Sequence, residues 1–367
     1  MIHTQRLLDR FFRYVSCGSE SRHEREFCLL MEEEFRRLGV PFTRDEAAGA
    51  ACQSDGWNLL ASLSGEGEPI LLSAHMDTVA PGNGIVPVLE NGVIRSAGDT
   101  VLGSDDKSGV AAILEALESI LEEDIPHRPV EILFSVCEEL GLLGSQHADF
   151  SQVKSREAVV LDSSKTGKII HRSTHNSRLR FTIHGKAAHA ATSPEDGIHA
   201  LKAAARAVDR IPCGHADEVT VLNVANFLAP GKTNVVSEEA SFEVMIRSFT
   251  PERQTHWFQT VEDTVAAACR DFGASYDCEV LKNYPGINVP ADLPIILRLK
   301  DIYRDLGVEV ELASGYGGCD ATWIAAQGID VVNVGTGMHN VHGTDESIEV
   351  AQLERAAAMA YELMRRP

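Results

Sequence analysis

An α/β fold, with a mainly parallel sheet, helices on both faces and a smaller two-layer α+β unit inserted into it, is what these 367 residues predict. Three observations carry that reading. Apolar runs alternate with helical stretches up to about residue 173, as in βαβ domains. Between 174 and 283 the texture changes to strands of alternating apolar and polar residues with two amphipathic helices. After 284 the first texture returns, so residues 1–173 and 284–367 are read as one domain and 174–283 as an insertion.

The elements follow in order. Residues 3–15 read as an amphipathic helix, and REFCLLMEEEFRRLG as a second one stopped at Gly39. PILLSAHMDTV, VEILFSVCEELG and EAVVLDSS read as buried strands, with KSGVAAILEALESIL as a helix after the first. In the insertion, RLRFTIHGKAAHA and SEEASFEVMIRSF read as strands, DGIHALKAAARAVDRI and PERQTHWFQTVEDTVAAACRDF as helices. Past NYPGINVP come a helix in PIILRLKDIYRDLG, an Ala-rich helix in DATWIAAQG, a short strand in DVVNVGTG and a closing helix.

Composition narrows the function. With 44% hydrophobic residues the chain can fill two cores, and a net charge of −21 leaves no basic surface for nucleic acid. No apolar run is long enough to span a membrane. The eight cysteines form no CxxC pair and the first residues lack a signal peptide, so reduced thiols in a cytoplasm are expected.

The chemistry lies where the apolar runs end. His75 and Asp77 stand two apart at the end of ILLSAH, on one face of a strand. Asp162 ends AVVL, Glu138 and Glu139 follow VEILFSVC, Asp105 and Asp106 precede a helix, and His342 follows DVVNV in a Gly-rich loop. Taken singly, each has an ordinary explanation as a strand end, a helix cap or a solvated helix start. Together, five segments deliver acids or imidazoles to the strand ends where open α/β sheets build their sites. Two histidines with several carboxylates suit Zn²⁺, Co²⁺ or Mn²⁺, and the set exceeds what one ion needs. Two divalent ions sharing a carboxylate, with one acid left for chemistry, fit the inventory better.

HMDTV, GSDDKSG, CEELG, LDSS and VHGTDE, in this order and spacing, resemble the motifs of the co-catalytic zinc metallopeptidase family that includes tripeptidase (peptidase T), aminoacylase, carboxypeptidase G and acetylornithine deacetylase. The tripeptidase branch is the most similar. The resemblance implies His75, Asp105, Glu139, Asp162 and His342 as metal ligands, with Asp105 bridging two ions, zinc first among them. It implies Asp77 as the acid that orients His75 and Glu138 as the general base. It further implies His189 as a lid histidine near the substrate carbonyl, Asn234 and Arg247 at the substrate's polar end, and an inserted domain that serves as lid and homodimer surface. Gly335, in GTG, is expected to bring backbone close to substrate or to serve a turn. Asp320 is open between a helix cap and support for the site, His339 is set aside in favour of His342, and Cys319 is read as packing.

The implied activity is aminopeptidase cleavage of short peptides. Deacylation of N-acyl amino acids or carboxypeptidase cleavage is the alternative within the family. A non-catalytic peptide-binding relative is disfavoured because no ligand or base is missing.

Overall fold

The run ILLSAH forms the strand Ile70–His75, buried at every residue, Ser73 and His75 included. The computed structural model describes residues 1–366 and falls into two units, Met1–Arg172 with Ile287–Pro367, and Ser173–Gly286. In the first unit an eight-stranded sheet runs, in spatial order, Phe42–Asp45, Asn58–Leu63, Val130–Ser135, Ile70–His75, Glu157–Ser163, Asp330–Gly335, Lys168–Ser173 and Glu311–Gly315. The four strands from Val130–Ser135 to Asp330–Gly335 are parallel to their neighbours, while Asn58–Leu63 and Lys168–Ser173 add on antiparallel. The class is mixed α/β with a largely parallel centre.

Both faces of this centre are covered, and the side chains sort by strand period. Ile70, Leu72, Ala74, Ile132, Phe134, Val159, Leu161, Val332 and Val334 join the larger core. Leu71, Leu133, Ala158, Val160 and Val331 join a smaller one with Ile324 and Ile329. The same alternation carries His75 and Asp162 onto the face of Leu71 and Val160 at the carboxyl ends of their strands.

The helix Ser104–Glu123 lies against that sheet and packs with Thr4–Ser16 and Val350–Arg365. Its outer carboxylates are bound by arginines. Arg10 pairs with Glu118 and, at 2.8 Å, with Glu115; Arg37 reaches Glu118 at 2.6 Å, and Arg6 reaches Glu115 at 2.8 Å. Burial alone would raise the Glu118 carboxyl, but its bonds to Arg37 and Arg10 win and hold it at about 2. Because the folded value lies below the ordinary 4.5, this stabilisation is complete above pH 4.5 and is lost as pH falls through about 2. Replacing Arg10, almost wholly buried, by Ala should lower unfolding stability by about 3 kcal/mol, the low end for breaking a buried pair, since Arg6 and Arg37 remain. Urea unfolding at neutral pH checks it.

The second unit is an antiparallel sheet, ordered Gly214–His215, Thr220–Leu228, Glu239–Ser248, His175–His184 and Ser275–Tyr284. Its core joins Leu179, Phe181, Ile183, Phe242, Val244 and Ile246 to Ala203, Ala207, Val261 and Val265 of the helices Ala200–Arg210 and Pro251–Phe272. The alternate residues Arg178, Arg180 and Glu243 form an ion-paired polar face.

A four-stranded antiparallel sheet in the first unit, ordered Met338–His339, Ser347–Glu349, Val93–Ser96 and Pro87–Glu90, is absent from the sequence reading. Strands of two to four residues show no period. This sheet fixes both ends of the segment that carries His342. No helix among the described residues is long and apolar enough to cross a membrane.

Candidate metal centre

His75 ends its strand, and the ring is oriented locally. Its Nδ1–H donates to the backbone carbonyl of Asp77 at 2.9 Å, which aims Nε2 at Asp105 Oδ1, 3.1 Å away. The Asp77 carboxylate stands farther from Nδ1, at 3.4 Å, and is engaged elsewhere. Its Oδ1 accepts from Glu138 N at 2.9 Å, and Oδ2 from Glu139 N at 3.2 Å and Ser21 Oγ at 2.6 Å. Asp77 therefore orients His75 through its main chain and ties that strand end to the acid pair through its side chain.

Glu138 and Glu139 are not the start of a helix. They lie in a turn after Val130–Ser135, between the left-handed residues Cys137 (φ 52°) and Leu142 (φ 66°). Non-glycine residues in that region are uncommon and gather at functional sites. Cys137 N donates to Glu24 Oε1 at 3.0 Å, which holds the turn from the other side.

Asp105 and Asp106 precede the regular part of their helix and divide two tasks. Asp106 is wholly buried: Oδ1 accepts from Gly109 N at 3.1 Å as a helix cap would, and Oδ2 from His75 N at 3.3 Å. Asp105 faces two imidazoles, with Oδ1 on His75 and Oδ2 3.2 Å from His342 Nε2. His342 is itself left-handed (φ 66°) and lies 2.9 Å from Glu139 Oε1. Asp162 is held by Asn333, whose Oδ1 accepts from Asp162 N at 3.0 Å and whose Nδ2 donates to its carbonyl at 2.6 Å.

Three sets of donor atoms, each within 4.8 Å, result: His75, Asp105 and Asp162; Asp105, Glu139 and His342; and His75, Glu138 and Glu139. The electrostatics are those of a cation site. Burial pushes Glu138 and Asp162 well above the carboxylate range, and the neighbouring acids add to it. Burial would lift Asp105 as well, but its bonds to His342 and His75 hold it below the usual range. Asp105 and Glu139 in turn pull His342 up to about 10. Glu139 Oε1 is buried and faces the His342 ring at 2.9 Å. Two divalent cations would balance these charges, so the residues fit such ions.

The remaining candidates are placed as follows. Asp320 stands at the N-cap position of Ala321–Ala326 but makes no capping bond; its Oδ2 accepts from Ser135 Oγ. At Gly335 a Cβ would sit 1.8 Å from the Lys165 carbonyl oxygen, so backbone approach explains the glycine. His339 is exposed, outside the three donor sets. In the second unit His189 bridges Val235, its Nδ1 accepts from Ala191 N and Thr192 N at 3.2 Å, and Ala190 N donates to the Asn234 carbonyl. Arg247 lies on the strand Glu239–Ser248, beside Asn176 in register. Sequence reading missed Asn333 and Glu24. A polar residue inside the apolar run DVVNV was the available signal for Asn333; Glu24, far from the motifs in sequence, gave none.

Comparison with known proteins gives a consistent picture. The model of peptidase family M20/M25/M40 matches residues 71–366. The chain is 35% identical to an uncharacterised Bacillus subtilis protein, YqjE, over 98% of this chain and 97% of that one. Its fold is similar to an aminopeptidase PepT from Bacillus cereus, with TM-score 0.94 and 31% identity, covering 99% of this chain and 98% of the other. It is likewise similar to a tripeptidase from Staphylococcus aureus, with TM-score 0.95 and 30% identity, covering 100% and 98%.

Proposed function

The chain belongs to peptidase family M20/M25/M40, a hydrolase family, and from that premise we propose that it is a metal-dependent aminopeptidase that removes the N-terminal residue of short peptides, tripeptides among them. The observation that carries the reading is Asp105, each of whose oxygens faces a different imidazole. That placement supports a shared role for Asp105: His75 and Asp162 would hold one ion and His342 and Glu139 the other. Zinc suits the donor set, with manganese or cobalt as alternatives. When bound, such ions polarise the scissile carbonyl and lower the pKa of the attacking water.

The chain's own residues do the rest. Glu138 takes the proton of the attacking water on its carboxylate and delivers it to the leaving amine. Asp77 keeps the Glu138 main chain in place through the Glu138 N–H. His189, whose Nδ1 is occupied as an acceptor, offers Nε2–H as a donor to the developing oxyanion. Asn234 and Arg247 bind the polar end of the substrate.

Arg247→Ala should raise KM about 10–100-fold for peptides with a free C-terminal carboxylate, the loss of one charge-assisted pair, and leave their amides unchanged. Steady-state kinetics on matched acids and amides distinguish the two cases; equal effects on both remove the role. The inserted unit, with Phe227, Leu228 and Val280 exposed, is proposed as lid and homodimer surface, and light scattering at twice the chain mass checks it. Eight unpaired cysteines fit a reducing cytoplasm.

Mass spectrometry of products from the metal-loaded protein, given free tripeptides and N-acetyl amino acids together, tests the substrate class. Release of N-terminal residues is expected. Release of acetate alone overturns the aminopeptidase reading in favour of a deacylase.

A further inference from the structure

Glu346 is the last acid of VHGTDE, and its side chain is buried, at 1% exposure. It accepts four hydrogen bonds from four consecutive residues. Leu102 N and Gly103 N donate to Oε2 at 2.7 and 2.8 Å; Ser104 Oγ and Asp105 N donate to Oε1 at 2.5 and 3.0 Å. Those donors belong to a turn in which Gly103 is left-handed (φ 70°) and Asp105 and Asp106 depart from helical geometry. Backbone N–H groups ahead of a helix have no carbonyl partner within it, so a carboxylate is what satisfies them.

The other end of Glu346 belongs to the segment of His342. Glu346 N donates to the Gly343 carbonyl at 3.1 Å, and Asn340 Nδ2 to Asp345 Oδ2 at 2.9 Å, which folds residues 340–346 onto themselves. One carboxylate thus joins the turn that presents Asp105 to the loop that presents His342. Neither is otherwise near the other in sequence. His75 and Asp162 are held differently, by their strands and by the Asp77 and Asn333 bonds.

The geometry points to Glu346 as a positioning residue that sets the spacing of Asp105 and His342, and hence the affinity of the ion held between them. The inference rests on the assignment of those two residues as ligands. In Glu346→Gln the side chain keeps its size, but one oxygen becomes an amide NH₂ that cannot accept from the two donors facing it. The turn must then shift, and supporting groups of this kind are worth about 10–100-fold in metal affinity.

Calorimetric titration of the metal-free protein with Zn²⁺ tests it. The unsubstituted protein is expected to bind two ions, and Glu346→Gln to weaken the one that depends on both Asp105 and His342 about 10–100-fold and the other, which shares only Asp105, clearly less. Glu346→Asp, which keeps the charge but has a shorter reach, is expected to fall between and serves if the Gln variant does not fold. A purely structural role would lower folding stability without separating the two ions. Equal weakening of both, or two unchanged affinities, overturns the inference. Failure of the unsubstituted protein to bind two ions overturns the underlying ligand assignment, and that result is seen without any variant.

Discussion

Glu138→Gln is expected to lower kcat by about 10³–10⁴-fold while the protein keeps two bound ions, the upper part of what a lost general base costs. Glutamine has the size of glutamate and preserves the turn, since the bond from the residue 138 N–H to Asp77 Oδ1 is made by the main chain. What it lacks is an oxygen able to take up a proton. Glu138 is buried among Asp162, Asp320 and Glu139, so the carboxyl holds a proton readily, and bound cations would draw it back toward the ionised form. A drop of that size corresponds to about 4–5.5 kcal/mol of barrier at 1.36 kcal/mol per decade. Turnover by product chromatography and metal content by mass spectrometry read the two halves separately. A kcat within tenfold of the unsubstituted protein sinks the assignment.

Asp105→Asn should be as severe for a different reason. An amide keeps one accepting oxygen and turns a nitrogen toward either His75 or His342, at positions 3.1 and 3.2 Å from their Nε2 atoms. No flip of the amide serves both sides. The variant should bind at most one ion and lose about 10²–10⁴-fold in activity, since a group that merely supports a metal ligand is already worth about 10–100-fold and Asp105 would serve two ions. Metal content after dialysis decides it, and two retained ions with ordinary affinity would mean that Asp105 does not bridge.

The strands and the acids at their ends were legible because burial writes itself into sequence. ILLSAH and EAVVLDSS are apolar until they meet His75 and Asp162, and the period of two sets which face those side chains take. The adjacent acids Glu138 and Glu139 were harder, since their spacing alone matches a solvated helix start; the left-handed residues around them decide otherwise. Glu346, Asn333 and Glu24 act on segments far away in the chain, through hydrogen bonds that leave no local pattern. The short strands Pro87–Glu90, Val93–Ser96, Met338–His339 and Ser347–Glu349 fail for want of length. Asp77 shows a third limit: its proximity to His75 was readable, but not that the main-chain carbonyl would hold the ring while the carboxylate bound two other residues.

The division of the first unit into Met1–Arg172 and Ile287–Pro367 also bears on how the protein is made. A ribosome that has finished the first segment has released His75, Asp105, Glu138, Glu139 and Asp162, but neither His342 nor Glu346. The edge of Glu157–Ser163 that Asp330–Gly335 will occupy has no partner strand until then. A nascent or truncated chain therefore carries most of the acids without the histidine and the brace that complete the centre. If Asp105 and His342 hold an ion as proposed, a chain that stops short of His342 would be unable to complete the centre.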